Sequence, residues 1–277
     1  MIIITILLLA EPHFAATWPF FLNERNKSFI IENRVPLIIL PILLILIGLM
    51  LFFFSKSLLL LIFFAANVFH VTRQSIGVSK IYLNNDVEKN FQTNVIYSYN
   101  FFFFLIGVLR FYFKTFPADI LFELNFFTIL SIISILIIYV IKFKNYRNIF
   151  TLLSGIIIFY PVCFVVNPVH AILMGVTIHY SQYLVMTYCI EKRRKLKKLS
   201  DDNNSSSPIL KNFIFIIVSY SIIMSLLSSF GGSENLLLQN LIIIPILSQL
   251  LHFYIDSHLW KFSKLHHREN TLKFLVK

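Results

Sequence analysis

The sequence predicts an all-α fold, a polytopic membrane helix bundle of about nine transmembrane helices (eight to ten), built as one integral membrane domain over 1–277. Three observations predict it. Hydrophobic residues make up 57% of the chain and charged ones only 13%, against roughly a quarter charged in a soluble domain. Apolar runs recur along the whole length, and a run of about 18 such residues crosses the hydrocarbon core as a helix. Basic residues fall almost entirely in alternate connections, the signature of cytoplasmic loops. That last point also accounts for the net charge of +11 without nucleic acid as a partner.

The expected spans are 1–22, 36–54, 57–79, 95–113, 118–141, 148–166, 168–190, 209–230 and 236–257. The first opens with Met1 to Ala10, apolar but with no basic residue before it, and Glu11-Pro12-His13 does not form a small-residue cleavage site. It therefore reads as a retained span rather than a signal peptide. Cys163 and Cys189 both fall inside spans and read as small buried hydrophobes, not as a disulfide or a metal pair. Only Lys56, Arg110 and Lys114 lie on the side opposite the other basic residues. This places the N-terminus outside and the C-terminus in the cytoplasm. The densest basic run, Glu191 to Lys198, leads into the polar stretch Asp201 to Ser207; together 191–208 reads as a flexible cytoplasmic loop, and 258–277 as a basic cytoplasmic tail. No internal repeat and no pair of broken short spans supports an inverted-repeat transporter.

Ionisable groups inside a span are costly and mark function or tight pairing. Four histidines stand out: His13, His70, His179 and His252, near the C-terminal ends of the first, third, seventh and ninth spans. Odd-numbered spans all run the same way, so the four share one membrane depth, and they are the expected metal ligands. Local spacing adds to this. His70 with Gln74, His179 with Tyr183 and His252 with Asp256 are each four residues apart, on one helix face. A metal-bound imidazole commonly donates its second N–H to a carboxylate or amide. Asp256, Tyr183 and Arg73 are expected catalytic groups, and Gln74 and Gln182 supporting ones. Arg73, one turn from His70, is expected to be buried against an acidic partner, Asp256 or Glu11. Imidazole ligands suit iron, zinc or copper. His170 reads as structural, His266 and His267 as part of the basic tail in a solvated or lipid-headgroup role, and Trp18 and Trp260 as interfacial anchors.

These motifs resemble the Brp/Blh-type family of microbial integral membrane dioxygenases that cleave beta-carotene to retinal. The matching elements are Pro12-His13, His70, His179 with Tyr183, and His252 with Asp256, in the family's order and approximate separations across most of the chain. The resemblance implies a mononuclear non-haem iron held by His13, His70 and His179, with an apolar substrate entering from lipid. Tyr183 stands where the family has a fourth histidine, and Phe14-Ala15-Ala16-Thr17 replaces its Gly-rich stretch after the first. Tyr183 or His252 would complete the ligand set.

The expected function is thus a membrane metalloenzyme, an iron oxygenase acting on an apolar lipid, isoprenoid or carotenoid. Three alternatives remain open on the residues alone: a zinc hydrolase with Asp256 as general base, a transporter or haem carrier with axial histidines, and a structural subunit whose histidines tie helices together.

Overall fold

A computed structural model describes residues 2–113, 118–201 and 209–275, and among them every regular element is helical. Six helices are long and apolar enough to cross a membrane: Val35–Phe54, Lys56–Tyr82, Asp86–Tyr112, Ile120–Phe143, Asn212–Gly232 and Leu236–Leu259. They suggest a multi-pass membrane protein. Their outward faces agree with that: Ile42, Leu46, Met50 and Phe53, and likewise Phe122, Phe126 and Ile133, are exposed. In water such faces would be aggregation sites; in lipid they are the solvated surface.

The helices in chain order are α1 (2–21), α2 (Lys27–Glu32), α3 (Val35–Phe54), α4 (Lys56–Tyr82), α5 (Asp86–Tyr112), α6 (Ala118–Phe143), α7 (Ile149–Ile157), α8 (Pro168–Asp201), α9 (Ile209–Ser229), α10 (Leu236–Leu259) and α11 (265–275). Several expected spans depart from a simple apolar helix. The first, α1, is interrupted by a π turn at Ile6–Ala10, where the Glu11 N–H reaches back to the Ile6 carbonyl. Pro12 follows at once and has no N–H to continue the ladder. The same device recurs in α3, with a π turn at Val35–Ile39 just before Pro41. The sixth expected span divides into α7 and a short 3₁₀ turn, Tyr160–Cys163, around Pro161. The seventh, α8, is 34 residues long, but its polar and basic content keeps it out of the six. It also carries 191–201 as helix where a loop was expected; 202–208 lie outside the described residues.

Capping explains several helix starts. Asn85 accepts from the Val87 N–H at 2.9 Å and Asp86 and Glu88 occupy the first turn of α5. Asn167 accepts from the Val169 and His170 N–H groups, with Pro168 at the first position of α8. Asn235 caps α10 in the same way.

The chain forms two compact units, 1–63 with 180–277, and 64–179. The boundaries fall inside two unbroken helices, after Phe63 in α4 and after His179 in α8. In the first unit, Phe20, Phe29, Ile190, Ile255, Leu259 and Phe274 form one core cluster, and Phe52, Leu59, Ile243 and Leu247 another. Ala15 and Ala16 are fully buried and let α1 approach its neighbours closely. In the second unit, Ile76, Ile96, Ile132, Tyr139, Leu152 and Ile156 form the core. Beside them lies a polar cluster: Gln92 accepts from Ser79 and donates to Tyr139 (3.0 Å), while Tyr139 and Asn145 donate to the buried Glu88.

The C-terminal tail is folded onto the first unit, where a solvated tail was expected. Arg193 donates to the Phe274 and Leu275 carbonyls at 2.8 and 2.9 Å. Arg194, paired with Glu191 at 2.6 Å, donates to the Asn270 carbonyl and covers the Phe20 ring. His266 stacks on Phe29 and its Nε2–H donates to Asn26 Oδ1 at 2.9 Å. His267 packs edge-on against the same ring and is 1% exposed. Burial, helped by His266, Lys264 and His258, pushes the His267 pKa down to about 4. The docked tail therefore refuses a proton that the undocked tail takes up near the ordinary value of about 6.5. Docking is complete above that value and weakens as pH falls through the window toward 4. Hydrogen exchange of amides 265–275, corrected for intrinsic rates, is expected to speed up between about pH 7.5 and about pH 5. His267→Phe is expected to flatten that dependence, and unchanged protection in the native chain would contradict it.

Candidate functional site

The first unit gathers polar side chains from three helices. From α1 come Glu11, His13 and Thr17; from α8, Tyr180 and Tyr183; from α10, His252 and Asp256, all buried. The pairs His13 with Thr17 and His252 with Asp256 lie four residues apart, so each presents two groups on one face. The His13 ring centroid is 4.5 Å from His252, 4.4 Å from Tyr183 and 4.8 Å from Tyr180. Phe14 and Phe253 pack edge-on around the His252 ring, and a wall of this kind excludes water.

Thr17 is the hub. Its hydroxyl donates to Asp256 Oδ1 at 2.8 Å. Having one proton, it must accept from His252 Nδ1, 2.7 Å away, so His252 carries its proton on Nδ1. The Tyr183 hydroxyl shares its single proton between Thr17 Oγ1 at 2.6 Å and Asp256 Oδ1 at 3.0 Å, because the Thr17 proton is already committed to Asp256. One donated and two accepted bonds exhaust the threonine. The tautomer leaves the lone pair of His252 on Nε2, which is 3.8 Å from Asp256 Oδ2. A neutral imidazole nitrogen and a carboxylate oxygen, both held from behind, are the arrangement a metal-ligating pair requires.

The second unit contributes an imidazole pair, His70 from α4 and His179 from α8, with ring centroids 5.6 Å apart and planes nearly perpendicular. Both are buried. The position of α8 here is fixed by Gly175, one turn before His179. A Cβ on Gly175 would lie 1.7 Å from the Ile158 carbonyl oxygen, so only glycine allows this approach of helix to backbone. Asn100, donating to the Gly155 carbonyl at 2.9 Å, ties α5 to α7 in the same unit.

All four histidines expected as ligands are therefore buried, as is Asp256, and buried histidine and aspartate groups of this kind could hold a metal ion. Tyr183 sits in the Thr17 network, hydrogen-bonded to Thr17 and Asp256. Gln74 is half-buried, and Gln182 is half-buried outside the Thr17 network. Arg73 departs from expectation: it is exposed, with its guanidinium over the Phe69 ring at 5.5 Å, not a buried partner of a carboxylate. Nor is Trp260 an interfacial anchor; it stacks on Phe20 and meets the Tyr183 ring edge-on at 5.5 Å. His170 is exposed.

Thr17 was not singled out by sequence reasoning, and Glu11 was considered there only as a partner for Arg73. Thr17 was visible as the i+4 partner of His13 but has no ionisable group to draw attention. Glu11 is 1% exposed, and Gln249 donates to its Oε1 at 3.4 Å. Its Oε2 has no hydrogen-bond partner among the described residues. A buried carboxyl group with an oxygen so placed needs a reason, because burying it is costly.

No protein-family model, curated protein or solved structure matches the chain.

Thr17→Val keeps the shape and removes the hub, leaving the His252 N–H and a Tyr183 bond unmet. It is expected to lower stability by about 1–3 kcal/mol in thermal unfolding of the detergent-solubilised chain, with Thr17→Ser close to the native value. Equal stability of the valine and serine variants would contradict the assignment. Gly175→Ala is expected to cost about 1–3 kcal/mol through forced displacement of α8, read in the same assay.

Proposed function

We propose that this chain is an integral membrane metalloenzyme, a non-haem iron oxygenase acting on an apolar lipid, isoprenoid or carotenoid. The observation that carries the reading is the burial of His13, His70, His179 and His252 in two imidazole pairs, with His252 held in a defined tautomer beside Asp256. Neutral nitrogens and one carboxylate are a donor set suited to iron, and to zinc as the alternative. Zinc would accord instead with the hydrolase reading, in which Asp256 serves as base. The family resemblance of Pro12-His13, His70, His179 and His252-x-x-x-Asp256 supports the oxygenase reading, and the proposed crossing pattern remains nine spans with the N-terminus outside and the C-terminus cytoplasmic.

The roles of the chain's own residues follow from their surroundings. His252 presents Nε2 because Thr17 occupies Nδ1. Asp256 is anchored through Oδ1 by Thr17 and Tyr183, with Oδ2 on the side of His252 Nε2. Phe14 and Phe253 keep water from the imidazoles and give an apolar substrate a compatible wall. Iron, when bound, would supply the activation of dioxygen.

Metal analysis of the gently purified full-length chain tests this. Near-stoichiometric iron is expected in the native protein and a large loss in both His70→Ala/His179→Ala and His13→Ala/His252→Ala. Zinc lost in the same variants would replace the oxygenase by the hydrolase. A folded native chain without metal would reduce the histidines to helix-tying groups.

A further inference from the structure

A second site lies away from the histidines, on the outer face of the second unit. A groove of about 700 Å³ runs between α5 and α6, within the range of roughly 300–1,000 Å³ typical of ligand pockets. Its lining runs from Phe91 to Phe102 on α5, about 16 Å along the helix axis. Most of the lining is apolar, with Val95, Phe102, Leu124 and Phe127 among it, while Tyr99, Thr128 and Ser131 add hydroxyls. The end near Phe91 is different. Asn94 is exposed in the groove there, with Ser98 exposed one turn farther along, and neither side chain makes a hydrogen bond within the described residues. At the same end Lys142, in the last turn of α6, lies over the Phe91 ring at 5.6 Å. It is exposed and has no ion pair among the described residues.

A polar amide left facing lipid is costly unless something covers it, and the pattern here specifies what. One end offers a cation and an amide donor; the rest is a mostly apolar channel about one lipid chain in length, with the Tyr99 and Ser131 hydroxyls paired to each other. We propose that this groove binds an anionic phospholipid, its headgroup between Lys142 and Asn94 and an acyl chain along Val95 to Phe102. Lys144 and Arg147, both exposed in the connection that follows α6, add to the positive field at the same end. The site rests on the multi-pass membrane reading and is independent of the metal.

The test uses the full-length chain, incubated in mixed micelles with equal phosphatidylglycerol and phosphatidylcholine of matched chains, and native mass spectrometry to count retained lipids. The native chain is expected to retain phosphatidylglycerol preferentially. Lys142→Gln is expected to reduce that preference about fivefold, the effect of one basic residue at a membrane surface. Val95→Trp, which fills the channel, is expected to lower retention of both lipids. Lys142 is exposed, so its variant keeps the fold and the comparison stays decisive even if Val95→Trp does not fold. Equal retention of the two lipids by the native chain, or an undiminished preference in Lys142→Gln, would overturn the proposal. So would a native dimer that Val95→Trp converts to monomer without loss of lipid, which would assign the groove to a second copy.

Discussion

Thr17 has one proton to give and two lone pairs to receive with, and three buried groups take all of them. In a bundle solvated by hydrocarbon there is no water to take over if one bond fails. The tautomer of His252, the anchoring of Asp256 Oδ1 and the position of Tyr183 are consequences of that single hydroxyl. So is the mutual placement of α1, α8 and α10 within the first unit, because the three helices meet at it. The neighbouring aromatic rings do not set this geometry; they seal it.

The second unit meets the same constraint with other means. Its imidazoles come from α4 and α8, and Gly175 permits α8 to lie against the Ile158 carbonyl one turn before His179. Its buried carboxylate, Glu88, is satisfied by Tyr139 and Asn145, which leaves that cluster as packing. Glu11 contrasts with it, since one of its oxygens has no partner among the described residues.

Much of the site was legible because ionisable residues in apolar runs are conspicuous. His13, His70, His179 and His252 were found that way, and the i+4 spacing correctly put Asp256 beside His252. Thr17 escaped because a threonine in a span is unremarkable until its partners from other helices are known. Arg73 misled for a physical reason: four residues of local sequence show which turn it occupies but not whether that face meets protein or surroundings. The tail was misjudged likewise. Its charges suggested solvation, whereas Arg193 and Arg194 spend theirs on tail carbonyls. As for the fold, the apolar runs located six membrane-length helices, while the prolines of 1–22 and 148–166 and the polar length of α8 gave helices of other kinds.

The central claim is that the buried imidazoles are ligands, and X-ray absorption on the metal of the full-length protein addresses it directly. The account predicts an iron edge with a first shell of nitrogen and oxygen and the outer-shell scattering of imidazole rings, weakened in His252→Ala. An iron shell dominated by sulfur, or one without imidazole scattering, would contradict it.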